Sequence, residues 1–170
     1  MKNISFRNDV LPLKNVLYRL ALRITLSHEE AEDIVQDTLI KVWNKRDDWQ
    51  EIDSIEAFSL TICRNLSLDR MKRAANDNSS IEESNVDAAD TTSSPYEDMM
   101  KKDRIETVRR IVNGLPEKQR SCMQLRDFEG KSYKEISNIL GLSEEQVKIN
   151  IFRARQTVKQ KYQEVDKYGL

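Results

Sequence analysis

Lys148, Arg153, Arg155, Lys159 and Lys161 fall within a stretch that has no carboxylate between Gln146 and Lys161. The same stretch places Val147, Ile151, Ala154 and Val158 on one stripe, the spacing of a helix with a single apolar side. A helix that is cationic on its outer faces can lie along phosphates while its polar side chains reach base edges in a major groove. A second cationic group, Arg64, Asn65, Arg70, Lys72 and Arg73, is opposed only by Asp69 and follows a loop that holds Trp49. Unpaired bases are held by this combination, because bases stack on rings while amines track the phosphates. The third group is acidic: Glu29, Glu30, Glu32, Asp33 and Asp37, with Gln36 among them. The helix dipole accounts for acids at a helix start, from Glu29 to Asp33, but not for Asp37 a turn further on. Asp33, Gln36 and Asp37 share one face by their spacing, and that face suits a basic surface on a protein partner.

Each group also has a plainer reading. A basic helix face is commonly just solvated, and acids at a helix start need no ligand. Trp43 and Phe58 read as core, whereas Trp49, in a polar loop, fits either a core position or a stacking platform. Catalysis finds no constellation: there is no Gly-rich phosphate loop, no His/Cys metal spacing and no Ser–His or Cys–His pairing. The acids of the second helix could hold Mg²⁺ for a nuclease only with a distant carboxylate, and none pairs with them. No cofactor is expected, and the chain does not read as an enzyme.

The elements that must position these groups are helices. Gly and Pro number 4 and 3, and there are no Val/Ile/Thr-rich alternating runs. Spacing predicts helices over about 9–26, 28–46 and 54–73, then 95–113 and 117–129, followed by a helical pair meeting at Gly141. Ser27 with Glu30, Ser132 with Glu135 and Ser143 with Gln146 have the spacing of capping boxes. Gly141 suits the left-handed residue that ends a helix. A short Gly-containing corner between two helices, the second basic outside, is the helix-turn-helix pattern. Residues 74–94 have no sustained apolar period and are rich in Ser, Asn, Asp and Thr, so they read as a flexible acidic linker. Ser94, Pro95 and Glu97 restart the helical pattern.

The architecture expected is therefore all-α: an N-terminal helical domain over 1–73, the linker over 74–94, and a helix-turn-helix domain over 95–170. Charge follows this division although the net charge of the 170 residues is −1. Residues 1–73 hold twelve basic and twelve acidic side chains, residues 74–100 hold seven acids and no base, and residues 101–170 hold sixteen basic and ten acidic. Clustered basic charge supports nucleic-acid binding even in a chain with a pI near 6.0. Cys63 and Cys122 fall on apolar faces in different halves and read as buried free thiols. His28, with no partner ligands in view, reads as a surface residue. No run approaches a membrane span and the N-terminus lacks a signal-peptide core, so a soluble, cytoplasmic protein is expected, with no direct membrane insertion.

Three blocks together resemble the extracytoplasmic-function (ECF) sigma factors of bacterial RNA polymerase. Ala31 to Trp43, A-E-D-I-V-Q-D-T-L-I-K-V-W, resembles that family's helix for the polymerase β′ subunit. Ile62 to Arg73, I-C-R-N-L-S-L-D-R-M-K-R, is similar to the helix that melts and reads the promoter −10 element. Leu115 to Lys148 resembles the domain that binds the −35 element. The resemblance implies contact with core RNA polymerase, through its β′ and β subunits, from Asp33, Gln36 and Asp37. It implies −10 contacts from Arg64, Asn65, Asp69, Arg70 and Arg73 and from the Trp49 loop. On the −35 side it implies Gln146, Lys148, Ile149, Asn150 and Arg153, with Lys159 on phosphates. It further implies an anti-sigma factor as a partner. Ile149 stands where many relatives have a small residue and Asn150 where many have a basic one, so the DNA sequence read differs from the familiar one. An alternative keeps the helix-turn-helix and makes the N-terminal half a sensor or dimerisation module of a transcriptional activator or repressor, a dimer on a two-fold site. The resemblance also implies that the acidic segment threads the polymerase's nucleic-acid channel. Replacing its acids with neutral residues should then weaken binding to core polymerase or change abortive RNA synthesis; no change in either assay would rule this role out.

Overall fold

The computed structural model describes residues 3–76 and 95–168, and all regular structure within them is helical. A π-helical turn (Phe6–Val10) and a 3₁₀ turn (Leu11–Leu13) lead into α1 (Lys14–Thr25), then α2 (His28–Asn44). A 3₁₀ turn (Arg46–Glu51) connects to α3 (Ile55–Asn76). The second half runs α4 (Pro95–Asn113), α5 (Glu117–Met123), a π-helical turn (Gln124–Phe128), α6 (Tyr133–Leu140) and α7 (Glu144–Tyr168).

The all-α expectation agrees with this, and three boundaries differ. The helix expected over 9–26 becomes regular only at Lys14, because Pro12 has no N–H to donate and holds the preceding turn as 3₁₀. Helix α3 continues to Asn76, so residues 74–76, assigned to the linker by composition, are helical. The helix expected over 117–129 divides into α5 and the π-helical turn. The remainder of the acidic segment, 77–94, with the Ser94 cap, lies outside the described residues.

Helices α1, α2 and α3 pack around Leu17, Leu20, Ala21, Ile24, Ala31, Ile34, Val35, Leu60 and Cys63, all buried. Small residues at Ser59, Cys63 and Ser67 form the buried stripe of α3, at the i, i+4, i+8 spacing that lies along one face. Their polar atoms are met locally: Ser59 Oγ donates to the Ile55 carbonyl at 2.7 Å and Ser67 Oγ to the Cys63 carbonyl at 2.8 Å. Cys63 Sγ donates across to the Leu17 carbonyl of α1 at 3.3 Å. Burial pushes both thiols, Cys63 and Cys122, up to about 12.

The same apolar core runs on into the second half, through Cys122, Leu125, Ile136, Ile139, Leu140, Val147 and Ile151. The two halves are distinct along the chain yet share one interior. Arg120, only 7% exposed, pins them together. Its Nε donates to the Arg23 carbonyl at 3.0 Å and its Nη2 to the Ile24 carbonyl at 3.0 Å. Those carbonyls belong to the last turn of α1, where no intrahelical donor remains. Leu26, left-handed at φ 59°, turns the chain away just beyond them. Nη1 reaches the Leu115 carbonyl at 2.8 Å, past the end of α4. Burial lowers the pKa of Arg120, and the stack of carbonyls offsets that cost.

Arg120→Ala would leave these buried carbonyls unmet, at a cost of about 3 kcal/mol. Thermal unfolding should show a melting temperature lower by roughly 6–12 °C; a shift within error would remove Arg120 from this role.

Candidate nucleic-acid and polymerase interfaces

The recognition helix is set by local chemistry. Ser132 and Glu135 form a complete capping box at the start of α6. Gly141, at φ +66°, ends α6. Ser143 and Gln146 then exchange side-chain and backbone bonds at 3.0 and 3.1 Å to start α7. With Val147, Ile151 and Ala154 buried, the helical period turns Gln146, Lys148, Ile149, Phe152, Arg153 and Lys159 outward. Asn150 is half-buried, its Nδ2 donating to the Gln146 carbonyl at 2.8 Å. Lys148 Nζ lies 5.5 Å from the Tyr133 ring centroid, and Arg155 is held by Asp127. The outer face thus joins free cations to exposed apolar groups, Ile149 at 47% and Phe152 at 61%. Phe152 went unnoticed in the sequence because its neighbours suggested a charge-only face. Its position one residue after the buried Ile151 was the available signal.

On α3 the expected cationic face is more constrained. Asn65, Asp69 and Arg73 are exposed. Arg64 is half-buried, its Nη1 donating to Asn65 Oδ1 at 3.4 Å while its buried Nε has no partner. Arg70 is committed elsewhere: Nη1 meets Glu30 at 2.6 Å and Asp33 at 3.3 Å, and Nη2 meets Asp37 at 3.0 Å. Its bonds to Glu30, then Asp33, raise its pKa. Arg70 therefore joins the candidate polymerase face to the candidate DNA face. Glu30 faces Arg70, while its backbone N–H takes the Ser27 hydroxyl at 3.3 Å.

The two tryptophans exchange the positions expected of them. Trp49 is 6% exposed and packs with Val10 and Val42, its Nε1 donating to the Val42 carbonyl at 3.1 Å. The stacking platform expected at Trp49 is overturned: the 3₁₀ turn Arg46–Glu51 folds the ring back onto α2. Trp43, expected in the core, is 44% exposed, edge-on to Phe6 with the Arg46 guanidinium 4.6 Å from its ring. With Gln36 and the exposed Ile40, Trp43 prolongs the acidic face of α2 as an apolar strip. His28, expected at the surface, is half-buried against Tyr18, stacked at 6.1 Å between centroids and hydrogen-bonded through Nδ1 to its hydroxyl.

Among the described residues no group of His, Cys, Asp or Glu side chains could hold a metal ion, and no helix is long and apolar enough to cross a membrane.

Comparison with known proteins agrees with this arrangement. The family models of sigma-70 region 2 and sigma-70 region 4 match residues 10–76 and 105–158. A sigma factor of Xanthomonas campestris is 28% identical over 153 residues, 88% of this chain and 38% of that protein. The RNA polymerase sigma-H factor of Pseudomonas aeruginosa is 26% identical over 157 residues, 88% of this chain and 81% of that protein. The sigma factor RpoE of Bartonella quintana, solved in complex with the anti-sigma factor NepR, superposes with a TM-score of 0.76. It is 28% identical, over 93% of this chain and 96% of that one. The chain belongs to the sigma-70 family, in its ECF group.

The exchange of tryptophans has a measurable consequence. Trp49→Ala should cost about 3–5 kcal/mol of stability, whereas Trp43→Ala should cost about 1 kcal/mol or less. Urea unfolding of the two variants checks this, and equal losses would contradict the burial pattern.

Proposed function

We propose that this chain is the specificity subunit of a bacterial transcription initiation complex, acting in the cytoplasm by docking on core RNA polymerase and directing it to promoters. The observation that carries this reading is the order of surfaces along one chain. An acidic and apolar face on α2 stands beside a cationic helix α3, and a helix-turn-helix follows. Bond-making belongs to the polymerase, and the chain contributes binding alone.

Asp33, Gln36 and Asp37, continued by Ile40 and Trp43, form the polymerase-facing surface. Their mixture of carboxylates and exposed apolar rings suits a partner patch that is basic at its rim and apolar within. Asn65, Asp69 and Arg73, with Arg64 once uncovered, take the −10 region. Capture of unstacked bases there needs a ring, and with Trp49 buried, Trp43 is the exposed indole nearest to this half's cations. The N-terminal part of α7 enters the upstream major groove. Lys148 and Arg153 suit guanine or phosphate, Asn150 suits adenine, and Ile149 with Phe152 suits the thymine methyl. Lys159 is available for phosphate. An anti-sigma factor is the natural inhibitory partner, by likeness to the relative solved with one.

The activator or repressor alternative would need residues 10–76 to act as a sensor or dimerisation unit. That segment instead matches sigma-70 region 2.

Transcription reconstituted with core enzyme tests the division of roles. Lys148→Ala should lower use of promoters with an upstream element by roughly 5- to 100-fold, the worth of one base contact, and leave polymerase binding intact. Asp37→Ala should weaken polymerase binding and leave upstream recognition intact. Failure of both variants at the same step would show the assignment to be wrong.

A further inference from the structure

We infer that the two halves of the free chain form a self-occluding clasp, a closed state that must open before both promoter elements can be engaged. This inference rests on the sigma-factor reading and deepens it.

The first observation is the shared interior. Leu17, Leu20 and Leu60 of the first half belong to the same buried cluster as Leu125, Ile136 and Ile139 of the second. The second is the polar rim. Arg19 grips Glu129 with Nε at 2.9 and 3.0 Å and Nη2 at 2.6 Å, and Lys131 pairs with Glu56. Arg23 donates to Gln124 and to Asn113, both at 2.8 Å. Burial and the neighbouring charges of Arg109 and Arg120 lower the pKa of Arg23 to about 10. The closed state therefore confines like charges at its edge.

The third observation concerns what the clasp covers. Arg64, a −10 candidate, is near enough to Cys122 of α5 for its charge to act on that thiol. Its buried Nε has no acceptor, and the buried Oε1 of Gln119, one turn before Cys122, has no donor. A donor and an acceptor left unmet on facing helices mark a boundary that holds without being optimised. Geometry supplies the fourth point. Helices in contact lie about 8–10 Å apart, so α3, α6 and the start of α7 fall within roughly 30 Å. Promoter elements centred near −35 and −10 are separated by about 25 base pairs, or roughly 85 Å of duplex. The closed chain cannot touch both. The eighteen residues 77–94 can extend to roughly 60 Å, which lets the halves part while remaining tethered. The relative solved with its anti-sigma factor matches this arrangement over nearly the whole chain, so the closed form here coincides with one seen in an inhibited complex.

The test uses the full chain with Arg19→Glu and Lys131→Glu together, which sets like charges against Glu129 and Glu56, and a rescue variant that adds Glu129→Lys and Glu56→Lys. None of these four residues is in the binding surfaces assigned above. Small-angle scattering of the free protein should show a larger radius of gyration for the double variant. Its association with core polymerase should be about tenfold faster, as expected for opposing pairs turned repulsive, and the rescue variant should return both to wild-type values. Raising salt on the wild-type chain should expand it in the same direction, without any substitution. An unchanged radius in both the variant and high salt, or expansion with no gain in association rate, overturns the clasp while leaving the sigma reading intact. Should wild-type and double variant alike fail to support initiation with core enzyme, the sigma reading falls, and the occlusion with it.

Discussion

Arg120 settles how the two halves meet. A buried guanidinium has five N–H groups in a rigid plane, and an apolar interior offers it few acceptors. In this chain the acceptors are carbonyls at the end of α1 and beyond the end of α4, where the helical ladder has run out. The arrangement closes two deficits at once, since the cation lacks acceptors and the helix ends lack donors. It also fixes the place where α5 crosses α1, and through α5 the positions of Cys122 and Leu125 in the common interior. Lysine could not replace it, because three donors on one atom cannot reach carbonyls of separate helices in a plane.

Around that pin the molecule divides its charge by depth. Arg120 and Arg23 are buried and held mainly by neutral acceptors, so their role is positional. Arg73, Arg153 and Lys159 lie in solvent, available to an anionic polymer. Arg64 and Arg70 stand between these classes, one half-covered by the second domain and the other shared among three carboxylates. Residue type alone does not separate these roles. Six arginines that look alike in the sequence differ by what surrounds them.

What could be read beforehand follows from the range of the interactions. The caps at Ser132, Gly141 and Ser143 depend on atoms within four residues, and each is found as spaced. The acidic face of α2 and the outer face of α7 follow from the helical period in the same way. Trp43 and Trp49 were inverted because a polar 3₁₀ turn gives no apolar period, and its return onto Val42 is a tertiary event. The buried stripe Ser59, Cys63 and Ser67 was passed over for the larger apolar residues of α3, although small residues are what allow α1 to approach. The common core was illegible for a related reason. Ile136 and Ile139 would show the same periodicity whether they packed within their own domain or against the other.

The three-carboxylate cradle around Arg70 has a thermodynamic corollary. A single guanidinium cannot serve the acids of α2 and a nucleic-acid phosphate in full measure together. A protein that draws Glu30, Asp33 and Asp37 to its own cations therefore sets Arg70 loose, and a phosphate that captures Arg70 exposes the acids by the same factor, since coupling between two binding events is reciprocal. Enzyme and promoter would then be heterotropic ligands of one small protein, each improving the other's grip through a side chain that both compete to unseat.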